Sequence, residues 1–206
     1  MTQYGFYFDS SRCTGCKTCE LACKDYKDLD QTTAFRVVYD YEGGSFSGSG
    51  NQLSQDVFSY HVSRACNHCD EPACLVACPS GAFSKDSDTG LMVIDEEVCI
   101  GFQACINACP YKAPRFNKET EKARKCDGCI NRVKQNLKPI CVEACPLRAL
   151  EFDDIDVLRS KYGDNASIAP LPTPDETMPN LVVKMAPATK PSGDTIGILA
   201  NPKEVD

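Results

Sequence analysis

The sequence lacks most of what a nucleic-acid-binding protein, a membrane-spanning protein or a conventional enzyme would use. Its 206 residues hold 22 Lys and Arg against 29 Asp and Glu, a net charge of −7, with no basic run. Phosphate recognition needs a basic face, so nucleic acid is excluded as a partner. No stretch reaches the roughly 18 apolar residues of a membrane-spanning helix. No direct membrane span is expected, and work at a membrane would need a separate anchor. The chain has only two histidines, a poor basis for haem ligation or acid–base catalysis. His68, inside Cys-Asn-His-Cys, and His61, in a strand-like run, read as packing or loop residues. There is no glycine-rich phosphate loop at a strand–helix junction and no Ser-His-Asp arrangement, so no catalytic residue is assigned. The amino terminus, MTQYGFYFDSSRC, shows neither a charged region followed by an apolar core nor a twin-arginine pair. The expectation is a chain that folds in the cytoplasm, where thiols stay reduced and available to metal.

What the chain does have is cysteine. There are 15, an odd number that rules out complete intramolecular disulfide pairing. They fall into four groups: Cys13, Cys16, Cys19, Cys23; Cys66, Cys69, Cys74, Cys78; Cys99, Cys105, Cys109; and Cys126, Cys129, Cys141, Cys145. Each group ends in two cysteines separated by three residues. In three groups the last cysteine precedes proline, and the continuations CPSGAF, CPYKAPRF and CPLRALEF share an alanine followed by an aromatic. The groups form an internal repeat.

The intervening chain suggests an α+β protein with short elements. Tyr4 to Asp9 and Leu91 to Asp95 read as strands leading into cysteine groups, and Glu20 to Lys27 as a short helix. Residues 35–65 read as a strand-rich hairpin insertion, with strands at Phe35 to Tyr41 and Val57 to Ser63. The loop between them, GGSFSGSGNQ, is too glycine-rich for a regular element. Asp154 to Lys161 reads as one helix. Seven of the 13 prolines lie beyond Asp164. Residues 164–206 therefore read as an extended proline-rich arm that lies on this domain or a partner, with disorder as the plainer alternative.

Thiolates spaced C-x2-C-x2-C lie on a tight loop that reaches three irons of one cubane, while a fourth cysteine before proline reaches the neighbouring cluster. Groups one and three share this spacing, except for Phe102 in group three and Lys24 in place of proline after Cys23. Groups two and four are stretched variants. Crossing works in pairs, so four groups imply two ferredoxin-like double-cluster modules. Group four alone, C-x2-C-x11-C-x3-C, also suits a zinc site. A zinc-stabilised interaction scaffold is thus the alternative from another class, but the repeated x3-C ending and Cys-Pro favour iron–sulfur clusters. Arg115, Lys122, Arg124 and Lys125 would either offset cluster charge or form a solvated face.

The four-group layout, with YGFYFDSSRCTGCKTCELACKDYKDL near the start and GDTIGILANPKEV near the end, resembles the four-cluster iron–sulfur beta subunits of molybdenum oxidoreductases, in particular the branch serving dimethyl sulfoxide reduction. The resemblance covers nearly the whole chain and is weakest around residues 43–56 and 172–178. It implies a non-catalytic relay between a quinol-oxidising membrane anchor subunit and a molybdopterin-containing catalytic subunit that reduces dimethyl sulfoxide or N-oxides. The same relay in a formate dehydrogenase or a sulfur-compound reductase is the alternative. It also implies export with the catalytic subunit to the periplasmic face of the bacterial cytoplasmic membrane, the cytoplasmic face being the alternative. The family pattern assigns Cys13, Cys16, Cys19 and Cys145 to one 4Fe-4S cluster and Cys126, Cys129, Cys141 and Cys23 to a second. A third is assigned to Cys66, Cys69, Cys74 and Cys109, and the last site to Cys99, Cys105 and Cys78. The modules would then be residues 1–34 with 120–163, and residues 66–119.

At Phe102 the usual sulfoxide-reducing member has cysteine, while related nitrate reductase beta subunits have tryptophan and hold a 3Fe-4S cluster. Phe102 offers no lone pair to iron, and its ring crowds out a substitute water. The expectation is three 4Fe-4S clusters and one 3Fe-4S cluster, about 15 irons in all. An empty site, a cubane ligated by a nearby oxygen, and an introduced substitution are the other readings.

Overall fold

The computed structural model describes residues 2–50 and 52–205. In chain order its elements begin with β1 (Tyr4–Asp9), α1 (Thr18–Tyr26), β2 (Val37–Gly43), β3 (Phe46–Ser49), β4 (Gln52–Gln55) and β5 (Phe58–Arg64). There follow α2 (Ala73–Val76), β6 (Phe83–Lys85), β7 (Met92–Ile94), α3 (Ala104–Ala108), β8 (Arg115–Asn117), β9 (Lys122–Arg124), α4 (Ile130–Val133) and α5 (Ile140–Glu143). The last are β10 (Leu150–Asp154), α6 (Ile155–Tyr162), a 3-10 turn at Pro174–Glu176, β11 (Leu181–Lys184), β12 (Gly197–Leu199) and α7 (Pro202–Val205). The fold is mixed α+β with ferredoxin-like features.

Strand β1 is buried on both faces because both are apolar. Phe6 and Phe8 join Leu150, Phe152, Leu181 and Val183 in the main core, while Tyr7 faces Ile155, Leu158 and Val182. Burying such side chains stabilises the fold by about 1.5–3 kcal/mol each. Strand β10 pairs antiparallel with β1, matching Phe8 to Leu150, and β11 pairs parallel on the other side, matching Phe6 to Leu181. Helix α6 begins where the Asp154 carboxylate accepts from the Asp156 N–H at 2.8 Å, satisfying a free donor of the first turn. Its Tyr162 stacks on Tyr7, ring centroids 3.8 Å apart.

A second sheet has the order β12-β2-β5. Strands β2 and β5 match Val37 to Arg64 and Gly43 to Phe58. The glycine-rich connection departs from its sequence reading. Strands β3 and β4 extend it as an exposed antiparallel hairpin, with Ser47 opposite Ser54 and their hydroxyls 2.7 Å apart. Ladder hydrogen bonds, rather than buried side chains, hold these strands. Asn51 lies outside the described residues.

The chain from residue 164 returns to the body. It supplies β11 to the first sheet and β12 to the second, and it buries Ile168, Ala169, Leu171 and Val205. Prolines deny it long elements of its own, so it takes hydrogen-bond partners from strands already present.

The cysteine loops cap two pairs of short helices. Helix α1 packs on α5, bringing the first and last cysteine groups together, and α2 packs on α3, joining the middle groups. Hairpins β6–β7 and β8–β9 flank the second pair. Around the middle groups the buried clusters consist largely of cysteine and alanine with Phe35, Phe83 and Met92.

Candidate metal centre

All 15 cysteines are free thiols, and they converge in four sets. Cys13, Cys16, Cys19 and Cys145 line one space of about 350 Å³, counting its open mouth. Cys66, Cys69, Cys74 and Cys109 line another of about 370 Å³. Cys78, Cys99 and Cys105 line a smaller one, about 260 Å³, whose wall includes Phe102. Cys23, Cys126, Cys129 and Cys141 are close enough for their thiols to oppose one another's ionisation. A zinc site needs its sulfurs about 2.3 Å from a single point. Among the described residues no three His, Cys, Asp or Glu side chains are grouped to hold a single ion; the thiols instead ring larger spaces.

Local sequence explains the loops. In Cys-x-Gly turns the backbone reverses through left-handed conformation at Gly15, Gly101 and Gly128, with φ of 67°, 72° and 68°. A Cβ at Gly15 would meet the His61 ring at 2.6 Å, and one at Gly101 would meet the Glu121 carbonyl oxygen at 2.4 Å. The remaining loop places His68 at the same step, with φ 48°. His68 is fully buried, and its Nδ1 accepts from the Met92 N–H at 3.0 Å. Burial, followed by the nearby cations Lys125, Lys85 and Arg36, holds its pKa well below the usual range, so it is neutral. Lys17 and Gln103, with φ of 57° and 62°, lead into α1 and α3. Phe102 thus occupies the backbone position of Cys16, and both side chains are exposed.

Donors point at the sulfurs. The N–H groups of Ala82, Ala123, Gly128 and Ala149 reach Cys78, Cys99, Cys126 and Cys145 at 3.4, 3.4, 3.4 and 3.3 Å. Thr18 and Thr177 hydroxyls donate to Cys16 and Cys69 at 3.4 and 3.2 Å. Burial pushes the thiols of Cys69, Cys74 and Cys129 up to about 12 and Cys13 up to about 11. Hydrogen bonds from the Thr18 hydroxyl and backbone N–H lower Cys16, and at Cys78 bonds from Ser80 and Ala82 outweigh burial. Buried thiols that resist ionisation favour a cationic core that binds thiolate, which an iron–sulfur cluster provides. The donor set and spacing fit that group.

The four cations considered from sequence separate here. Lys125 is buried, with Nζ donating to the carbonyls of Met92 and Cys126, and Lys122 Nζ donates to the Cys99 carbonyl. Arg124 pairs with Glu96 at 3.1 Å, and Arg115 donates to the Val205 carbonyl at 2.9 Å. Sequence reasoning missed Thr177, Ser63 and Arg36. The last carried a signal, a cation inside the apolar run AFRVV.

Four sets of thiols at ferredoxin spacing, each served by donors to sulfur, define an iron–sulfur protein with tandem ferredoxin-type ligand loops. A 4Fe-4S dicluster domain matches residues 57–155, and a 4Fe-4S binding domain matches residues 10–27. The sequence is 57% identical over 204 residues, 99% of each protein, to the anaerobic dimethyl sulfoxide reductase B-chain of Escherichia coli (strain K12). It is 56% identical over the full length of both proteins to the corresponding protein of Haemophilus influenzae. It is also 37% identical over 153 residues, 74% of this sequence and 58% of the relative, to the tetrathionate reductase B-subunit of Salmonella typhimurium. The protein belongs to the anaerobic dimethyl sulfoxide reductase B-chain family of iron–sulfur electron-transfer proteins.

Proposed function

We propose that the protein relays electrons from a quinol-oxidising membrane anchor subunit to a molybdopterin-containing catalytic subunit that reduces dimethyl sulfoxide or N-oxides. The observation that carries this reading is the sequence of thiol sets across the molecule. Cys16 reaches the surface, Cys19 and Cys141 share the neighbourhood of Arg36, Cys66 lies close enough to Cys126 to oppose its ionisation, and Phe102 reaches the surface beside the set of Cys78, Cys99 and Cys105. Bound clusters would supply one-electron donors and acceptors. The protein's own residues hold them and exclude water, and N–H and hydroxyl donors stabilise the ligating sulfurs.

The proposed ligand sets are Cys13, Cys16, Cys19 and Cys145; Cys23, Cys126, Cys129 and Cys141; and Cys66, Cys69, Cys74 and Cys109, each for a 4Fe-4S cluster. Cys78, Cys99 and Cys105 take a 3Fe-4S cluster, because Phe102 stands where a fourth ligand belongs. That site lies at the anchor end, and its potential is in the upper part of the range of about −700 to +450 mV that iron–sulfur clusters span. The first two sets form one double-cluster module and the last two another. The protein works on the periplasmic face, carried there with its catalytic partner.

Iron and acid-labile sulfide counts with electron paramagnetic resonance test the reading. About 15 irons and a signal in the oxidised protein are expected; about 12 with no such signal would mean an empty fourth site. Removing the partner's export signal should strand this protein in the cytoplasm, and continued export would refute passenger transport. The likeness to a tetrathionate reductase component supports a second reading, the same relay serving a sulfur-compound reductase. A co-purified partner that reduces only tetrathionate would favour it.

A further inference from the structure

Arg36 is a cation in a core position. It precedes β2, whose first residues Val37 and Val38 are fully buried, and is itself 2% exposed. The guanidinium lies over the Phe6 ring, 4.9 Å from its centroid. Nη1 donates to the Ser63 carbonyl at 3.3 Å and to Ser63 Oγ at 3.0 Å, while Nε is buried without a partner. Ser63 Oγ lies 3.3 Å from Cys19 Sγ. Having accepted from Arg36, this hydroxyl has its own proton to give to sulfur. The thiols near enough to act on the guanidinium electrostatically are Cys141, Cys19, Cys126 and Cys23, with Cys141 foremost.

A buried cation is costly unless negative charge meets it. The groups around Arg36 that can carry such charge are sulfurs from two different sets, one acting on it through space and the other also linked to it through a hydroxyl. One electron added to a cluster in either set, taken from a neighbouring cluster, adds one negative charge beside this fixed positive one. At short range in a water-poor interior, the cation makes that addition easier.

We propose that Arg36, acting on one side through Ser63, sets the reduction potentials of the clusters held by Cys13, Cys16, Cys19 and Cys145 and by Cys23, Cys126, Cys129 and Cys141, raising both. The inference rests on the cluster reading proposed above. It assigns a potential-setting role to two residues that ligate nothing, in the module that does not contain Phe102.

The test is a redox titration followed by electron paramagnetic resonance on the cluster-loaded full-length protein in its complex, with iron counted in each variant. Arg36→Met keeps length and apolar packing but removes charge. It should disfavour reduction of both clusters at least tenfold, about 59 mV for a one-electron couple. The site of Cys78, Cys99 and Cys105 should not move and provides the internal reference. Arg36→Lys should restore most of the shift, and Ser63→Ala should lower only the cluster of Cys19, by less. Full iron with unmoved potentials in Arg36→Met overturns the proposal. If Arg36→Met loads less iron, Ser63→Ala decides, and an unmoved potential there overturns it as well. An unsubstituted protein without iron would instead overturn the cluster reading itself.

Discussion

In the first cysteine group Cys13-Thr14-Gly15-Cys16-Lys17 turns through left-handed backbone at Gly15 and Lys17 and enters α1. In the third group Cys99-Ile100-Gly101-Phe102-Gln103 turns in the same way at Gly101 and Gln103 and enters α3. The backbones match although one loop has a thiol where the other has a phenyl ring. Loop shape therefore depends on the left-handed positions and the close approach at each glycine, and the ligand at the second position is free to vary. The surroundings differ more. Near Cys16 the surface carries Arg12, Lys17 and Arg148, with Lys17 paired to Glu204 of the returning arm. Near Phe102, which is 68% exposed, Ile100 is also 67% exposed and Val76, on α2, is 83% exposed.

The largest contrast should appear on removing iron. The middle cysteine groups are surrounded mostly by cysteine and alanine, whereas β1, β10 and β11 bury Phe6, Phe8, Phe152 and Leu181. Chelation should therefore abolish hydrogen-exchange protection in residues 66–125 while the first sheet stays protected, because metal binding there stands in for apolar packing. Uniform loss throughout the protein would erase the distinction.

Exchanging the two second-position residues sharpens the comparison. Phe102→Cys should raise the iron content from about 15 to about 16 per molecule and remove the oxidised-state signal. Cys16→Phe should do the reverse in the first loop. Unchanged iron in both variants would break the equivalence of the loops.

A smaller effect tests the loop that has no glycine. Asn180 Nδ2 donates to the His68 carbonyl at 2.8 Å and to Asp70 Oδ1 at 3.0 Å. Asn180→Ala should cost about 1–3 kcal/mol by leaving a buried carbonyl unpaired, read as a lower denaturant midpoint with unchanged slope. The smallest effect belongs to a site outside both loops. Asp154→Ala removes the cap of α6 and should cost about 1 kcal/mol, with iron content and potentials unchanged.

Much of the fold was legible because its signals are local. Alternating aromatics marked β1, and strand-like alternation marked β2 and β5. Residues 154–161 read as the helix α6, one residue early because Asp154 serves as its cap. The β3–β4 hairpin was not legible, because its Ser and Gly residues bury nothing and ladder hydrogen bonds have no sequence signature. The cysteines themselves were legible through their spacing, but Thr177 and Ser63 were not. Hydroxyls are ordinary surface residues until tertiary contact brings them to sulfur.

Sequence alone determined the ligand loops, because Cys-x-Gly spacing, left-handed turns and the x3-C ending act within a few residues of one another. It also determined which loop would lack a thiol, at Phe102. Tertiary structure decided which distant cysteines share a space, since that depends on α1 meeting α5 and α2 meeting α3. It also decided that the proline-rich arm returns to complete two sheets, since β11 and β12 take their hydrogen-bond partners from β1 and β2. Above all it decided the place of Arg36, whose burial between two thiol sets arises only when Phe6, Ser63 and Cys141 close around it from separate parts of the sequence.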